Sequence, residues 1–151
     1  MSNPAPRDVS RGRERIALEI ELPVAPELAH ACWTDPELVA GWWAPSTHYA
    51  ADGAYRYSWP EQDWHLSGRV LRAAPGRRLR LSWRWEHEPD RPERELDLRF
   101  GPSGAGTLLH LEHGPYGDGP GEADERAEHL EGWLHFLPRL AAAAAASGRR
   151  G

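Results

Sequence analysis

The chain has 151 residues, 40% of them hydrophobic and 27% charged, with a formal net charge of −5 at pH 7. This composition is typical of one globular domain, and the negative charge argues against nucleic acid and anionic membranes as main partners. A single cysteine, Cys32, excludes an internal disulfide. Because no signal-like segment and no run of about 20 apolar residues occurs, we expect a cytoplasmic protein without membrane insertion.

The N-terminal third predicts an arm, one strand and two short helices. Residues 1–12 are polar and contain two prolines and a glycine, so a flexible arm is expected. Residues 16–22 alternate between apolar and polar, which is typical of a half-buried strand. A short helix with Pro26 near its start follows, and the Thr-Asp-Pro at 34–36 separates it from a second one that carries residues 38–43.

The middle of the chain predicts an antiparallel meander. Alternating apolar residues mark five strands, at 55–59, 64–70, 79–85, 96–100 and 107–113, with turn-forming glycines and prolines between them. With the strand at 16–22 the total is six, and a short strand at 48–50 would make it seven.

The third and fourth of these segments predict a hairpin with a defined register. If Trp83 and Leu96 share the concave face, the polar residues between them share the convex face. Opposite charges then meet across the strands, from Arg80 and Arg84 to Glu95 and Asp97.

The last third predicts one long helix. Acidic residues at 122, 124 and 125 favour a helix start, and an apolar stripe follows at helical spacing, formed by Leu130, Trp133, Leu134 and Leu137. An alanine run continues the helix to residue 147, and residues 148–151 are expected to form a flexible tail. Pro138 predicts a kink, which should set where the helix leaves the sheet and where a cavity opens.

Several motifs resemble those of one known family. Residues 33–45 read W-T-D-P-x5-W-W-x-P, and Gly68-Arg69-Val70, the run from Thr107 to His113, and His129-x-x-Gly132-Trp133 follow in order. Together they resemble proteins similar to the C-terminal domain of the heat-shock-protein-90 ATPase activator, within the START-like or SRPBCC superfamily. The resemblance covers about residues 13–146. One departure, Ala54 where the family often has glycine, concerns a local turn.

The resemblance implies an α+β, helix-grip (START-like) fold. In this fold a curved antiparallel sheet, here of six or seven strands, surrounds a long C-terminal helix, and two short helices follow the first strand. A single domain would then span residues 13–147. In the superfamily, the space between helix and sheet often binds an apolar ligand.

Aromatic residues are the main candidates for a ligand site. Eight tryptophans are many for a chain of this length. Strand periodicity places several aromatic residues on one face, opposite the C-terminal helix, where they would line a cavity widened by Gly68. Plain core packing explains the same pattern equally well. The predicted ligand-binding set is Trp43, Tyr55, Tyr57, Trp59, Trp64, Trp83, Trp85, His113, Trp133 and Leu137.

No catalytic residue, cofactor or metal is predicted. His110 and His113 point to opposite faces of a strand, and no H-E-x-x-H or C-x-x-C pattern occurs. His113 lies on the apolar face of its strand, where it could bond to the backbone or form a polar group at the cavity mouth.

Three functions remain open from the sequence. The first is binding of a small hydrophobic molecule, by a monomer or homodimer. The alternative is a chaperone accessory, with a chaperone ATPase as partner and a role in the stress response. The third is an enzyme of the cyclase or hydratase type, for which His113 is the only candidate found. Non-enzymatic binding is the favoured interpretation.

Overall fold

The computed structural model describes residues 4–150 and shows an α+β, helix-grip fold. A curved antiparallel sheet lies against a 29-residue C-terminal helix. In chain order the elements are β1 (Arg7–Asp8), β2 (Ile16–Leu22), α1 (Pro26–Thr34), α2 (Pro36–Val39), β3 (Ser46–Tyr49), β4 (Ala54–Trp59), β5 (Trp64–Ala74), β6 (Arg78–Trp85), β7 (Arg94–Ser103), β8 (Gly106–Gly114) and α3 (Glu122–Arg150).

The sheet has eight strands within residues 4–150, in the order β1-β2-β8-β7-β6-β5-β4-β3. The sequence predicted six or seven. The additional strand is β1, which pairs Arg7 with Glu19 and Asp8 with Leu18. It lies in the arm predicted to be flexible, and two polar residues are too few to show a strand period. Residues 1–3 of the arm lie outside the described residues.

The register predicted for the β6–β7 hairpin is confirmed. Leu81 lies opposite Leu96 and both are buried, while Arg80 lies opposite Asp97 on the other face. The ion pairs run diagonally, from Arg80 to Glu95 and from Arg78 to Asp97. The remaining predicted residue, Arg84, lies opposite Ser67 of β5 and outside the β6–β7 register, whereas Arg78 was not predicted.

The two short helices close one end of the core. Proline occupies the first turn of each, and the Asp35 carboxylate accepts a hydrogen bond from the Glu37 backbone N–H at 3.0 Å, which caps α2. Trp33 and Trp42 pack edge to face at 4.6 Å, and each is 1% exposed. The tryptophans of this corner are therefore core residues.

Helix α3 runs without interruption past Pro138 to Arg150, three residues beyond its predicted end; Gly151 lies outside the described residues. Its buried face is formed by Trp133, Leu137, Leu140, Ala141 and Ala144. The predicted stripe was therefore wrong at one position: Leu134 is 42% exposed. The alanines let the second half of α3 pack closely against the core.

Candidate functional site

A cavity of about 390 Å3 lies beside Trp133, as the sequence predicted. Its walls come from the corner after α2, the paired ends of β5 and β6, the loop between β6 and β7, and the first half of α3. The lining residues are Trp43, Trp64, Trp83, Trp85, His87, Glu88, Arg91, Glu128, His129, Gly132, Trp133 and Phe136. All the α3 residues among them precede Pro138, and the opening at that proline stays a prediction.

Five of the eight tryptophans line this cavity, and all five were in the predicted set. Neighbouring rings are close to perpendicular: Trp83 and Trp85 at 79°, and Trp43 and Phe136 at 88°, with centroids 5.6 Å and 4.8 Å apart. Trp133 stacks on Trp43 at 5.5 Å. Rings that meet edge to face cannot lie flat on one another, which is consistent with the space that remains between these side chains.

The other five predicted residues lie outside the cavity lining. The Tyr55 hydroxyl donates to the backbone oxygen of Ser82, and the Tyr57 hydroxyl donates to that of Trp33 at 2.6 Å. Both side chains are buried. Trp59 contacts the cavity indirectly, because its Nε1 donates to the backbone oxygen of Trp43 at 3.1 Å. Leu137 and His113 are fully buried.

Gly68 does not widen the cavity as expected. A Cβ at Gly68 would lie 2.2 Å from the backbone oxygen of Ser82 and 2.7 Å from its Oγ. The glycine is needed because β5 and β6 approach closely here. That approach lets the Arg69 backbone N–H donate to Ser82 Oγ at 2.8 Å.

Apart from Trp133, the lining residues that come from α3 and the β6–β7 loop were not predicted from the sequence. Residues 129, 132, 133 and 136 form a helical stripe at spacings of three, one and three, next to the stripe that was chosen. This helical spacing is visible in the sequence. The predicted stripe followed the leucines at 130, 134 and 137 instead, and so omitted His129, Gly132 and Phe136. A Cβ at Gly132 would meet no atom within 4 Å, so this position leaves the cavity open.

His113 is a buried, neutral side chain behind the cavity wall. Trp133 Nε1 donates to its Nδ1 at 3.0 Å. Because an indole N–H can only donate, Nδ1 is the acceptor and the ring proton lies on Nε2. Burial lowers the pKa of His113 well below its usual range. Among the described residues Nε2 has no hydrogen-bond partner. The structure therefore places His113 under the wall rather than at the mouth.

His129 forms the neutral polar part of the lining. Its ring stacks on His113 at 4.8 Å, and its Nδ1 lies 2.7 Å from the Tyr116 hydroxyl. Burial, followed by the charges of Arg94 and Arg91, lowers the pKa of His129 to about 4. At neutral pH this imidazole is uncharged, so it can exchange hydrogen bonds with a ligand without adding a positive charge.

Charged residues surround the mouth of the cavity. Arg91, in the β6–β7 loop, contacts three carboxylates: Glu88 at 3.2 Å, Glu125 at 3.5 Å and Glu128 at 3.1 Å. Two of these belong to α3, so Arg91 ties the loop to the helix across the mouth. Its positive charge is therefore fully countered.

A second arginine fixes the first turns of α3. Arg94 is 3% exposed, forms ion pairs with Glu122 and Glu125, and donates to the Pro115 backbone oxygen at 2.7 Å. Its guanidinium also lies over the Tyr116 ring, 4.7 Å from the centroid. This cluster joins β7, the loop between β8 and α3, and the first turns of α3. It therefore sets the position of His129, which lies one helical turn after Glu125.

Metal binding and membrane crossing find no support in residues 4–150. Within that range no three His, Cys, Asp or Glu side chains come together in a way that could hold a metal ion. Cys32 is buried, and burial raises the pKa of its thiol to about 11, which makes it unreactive. Within the same range no helix is long and apolar enough to span a membrane.

Three solved structures illustrate what the fold is similar to. CalU16 from Micromonospora echinospora is 24% identical, with a TM-score of 0.69 over 97% of this chain and 87% of that chain. DynU16, a putative protein in the dynemicin biosynthetic locus, is 20% identical, with a TM-score of 0.73 over 87% of this chain and 47% of that one. The Aha1 dimer from Colwellia psychrerythraea is 15% identical, with a TM-score of 0.71 over 86% and 95%.

Family assignment rests on sequence, since identities this low show the fold alone. None of the curated protein sequences matches this chain. A family model does match, over residues 23–145, from the end of β2 to near the end of α3. This span includes every residue that lines the cavity. The chain therefore belongs to the family of activator of Hsp90 ATPase homolog 1-like proteins.

Proposed function

We propose that this protein binds a small, largely apolar molecule in the cavity beside Trp133. The observation that carries the proposal is the lining: five tryptophans and a phenylalanine surround about 390 Å3 of space. Cavities of roughly 300–1,000 Å3 with apolar walls and a few polar groups are typical ligand sites. Buried Cys32 fits a reducing cytoplasm as the place of action.

Contacts within the protein fix the walls, which supports binding to a preformed site. Trp43 is fixed through its backbone oxygen by Trp59 and through its ring by Trp133. Trp133 is fixed by His113. Side chains that are already ordered lose little entropy when a ligand arrives, so even a small molecule can bind usefully.

The test is to fill the cavity at Gly132. Gly132→Leu places a branched side chain in the open space, while Gly132→Ala adds one methyl group and serves as the matched control. Titration with the neutral fluorophore N-phenyl-1-naphthylamine should saturate for the wild type and for Gly132→Ala. Binding should be lost, or weakened about tenfold or more, for Gly132→Leu. Equal binding by all three proteins, or no saturable binding by the wild type, would overturn the proposal.

The family description favours a second candidate, contact with a chaperone ATPase. The fold is also similar to that of the Colwellia Aha1 dimer. An ATPase assay with a purified Hsp90-type chaperone tests this candidate. Stimulation that Gly132→Leu leaves unchanged would assign the activity to the outer surface rather than to the cavity. An unchanged ATPase rate at saturating protein would exclude the candidate.

A further inference from the structure

We infer that the ligand is an organic cation, with an apolar or aromatic body and an alkylated ammonium group. The inference rests on the proposed ligand-binding function and narrows it to a chemical class. Two independent features of the site carry it: the type of aromatic ring in the walls, and the sign of the charge around the mouth.

The walls offer the aromatic ring that binds cations best. Among aromatic side chains, the indole face attracts an ammonium group most strongly, and indoles make up five of the twelve lining residues. Trp83, Trp85 and Trp64 meet edge to face, at 79° and 70°. An ammonium group placed among perpendicular indoles can contact several rings at once.

The charges at the mouth are negative in sum. Glu88 and Glu128 line the cavity with Arg91. Behind them stand Glu122 and Glu125, which hold Arg94. The ion-paired group therefore contains four carboxylates and two guanidinium groups, and with Arg84, which borders it, the excess is one negative charge. A cation near the mouth gains from this field, whereas a carboxylate or phosphate ligand is repelled.

Arg91 is the only arginine among the twelve lining residues, and His129 adds no positive charge at neutral pH. His129 is held neutral by burial and by the neighbouring arginines. Arg91 is ion-paired with three carboxylates, so its guanidinium group is already engaged. Glu88, whose backbone N–H donates to the Trp85 backbone oxygen at 3.1 Å, lines the cavity together with Trp85 and Trp64.

The experiment compares three probes of similar size and different charge. Benzyltrimethylammonium carries one positive charge, neopentylbenzene is its neutral isostere, and benzylsulfonate carries one negative charge. Calorimetry and tryptophan fluorescence at pH 8 and low salt should show the cation binding about tenfold more tightly than the neutral isostere. The anion should show no binding. Added salt should weaken the cation's binding and leave that of the neutral probe unchanged.

A rim variant separates charge from shape. Glu128→Gln removes a carboxylate at the mouth and should weaken cation binding about two- to fivefold, with neutral binding unchanged. Glu131→Gln is the matched control, because Glu131 is exposed on the same helix and does not line the cavity. The control should bind all probes as the wild type does.

The outcomes distinguish this inference from the proposed function. Neutral isostere binding as tight as the cation, or tighter, would overturn the inference while the ligand-binding function stands. The same holds if Glu128→Gln and Glu131→Gln behave alike. If neither these probes nor N-phenyl-1-naphthylamine binds, the proposed function fails, and the inference fails with it.

Discussion

The tryptophans near α1 are packed in the core, whereas those of the cavity line open space. Trp42 is 1% exposed, packs on Trp33, and donates from Nε1 to the Cys32 backbone oxygen at 2.8 Å. Trp64 is 49% exposed and contacts only Trp85 and His87 among the aromatic rings described. Only the surroundings differ, which shows that tryptophan content alone does not separate a core from a binding site.

Helix α3 shows the same contrast between its two halves. In the second half, Ala141 and Ala144 are at most 2% exposed and bring the helix close to the core. In the first half, Gly132 faces open space. Small residues on α3 thus have opposite consequences. Ala141 and Ala144 allow close packing where the core approaches the helix, and Gly132 leaves open space where no other element is near.

The largest expected effect tests the contrast between the two groups of tryptophans. Trp42→Ala should lower the free energy of unfolding by about 3–5 kcal/mol, because it empties a packed site and leaves the Cys32 oxygen without its donor. Trp64→Ala should lower it by less than about 1 kcal/mol, since half of the indole is already in water, but should weaken probe binding. Urea unfolding and fluorophore titration measure both. Similar destabilisation by the two variants would remove the distinction.

A second prediction concerns pH and sharpens the contrast between the buried histidines and those on the surface. His129 ordinarily titrates near 6.5 when unfolded, but its folded pKa is about 4. Between these values the unfolded chain binds more protons, so stability is full above about pH 6.5 and falls as the pH drops. Each such histidine contributes up to about 1.4 kcal/mol per pH unit. His113, stacked on His129, adds in the same direction.

The measurement is urea unfolding from pH 7.5 to 5, with His129→Gln for comparison. Glu122, whose pKa is lowered to about 2 mainly by its hydrogen bond to Arg94, contributes a constant stabilisation above about pH 4.5 and loses it only at lower pH, so it does not interfere. Groups facing His129 are His113, Tyr116, Trp83 and, through their charges, Arg94 and Arg91. The variant should show a shallower loss of stability with acid. Parallel curves for both proteins would contradict the assignment to His129.

The last prediction concerns alanine substitutions at two glycines, which should change the free energy of unfolding in opposite directions. Gly68→Ala should cost about 1–3 kcal/mol, because its Cβ would lie 2.2 Å from the Ser82 oxygen and would push β5 and β6 apart. Gly132→Ala should stabilise by about 0.5–1 kcal/mol, since alanine favours the helix and meets no atom. Thermal and urea unfolding of the pair measure this difference. Destabilisation by Gly132→Ala would mean that the space beside α3 is closed.

Sequence reasoning was most successful where a residue's role depends on local pattern. Alternation gave the strands, and it placed Arg80 with Glu95 on one face of the sheet. It was less successful with Tyr55 and Tyr57, which have the right alternation for a cavity wall. Their hydroxyl groups reach backbone oxygens of β6 and α1, and these partners lie 27 and 24 residues away. No local pattern could have shown that these two rings are enclosed.

By itself the sequence determined the fold class, most of the strands along the chain, the long helix and the shared face of several aromatic residues. These follow from residue periods and from short motifs, which act within a few positions. Only the tertiary structure decided which face of α3 meets the cavity, that Gly68 is there for contact with Ser82, and that His113 lies behind the wall. It also decided the charge of the mouth, because Glu88, Arg91 and Glu128 meet across 40 residues of chain only when the loop and helix pack together.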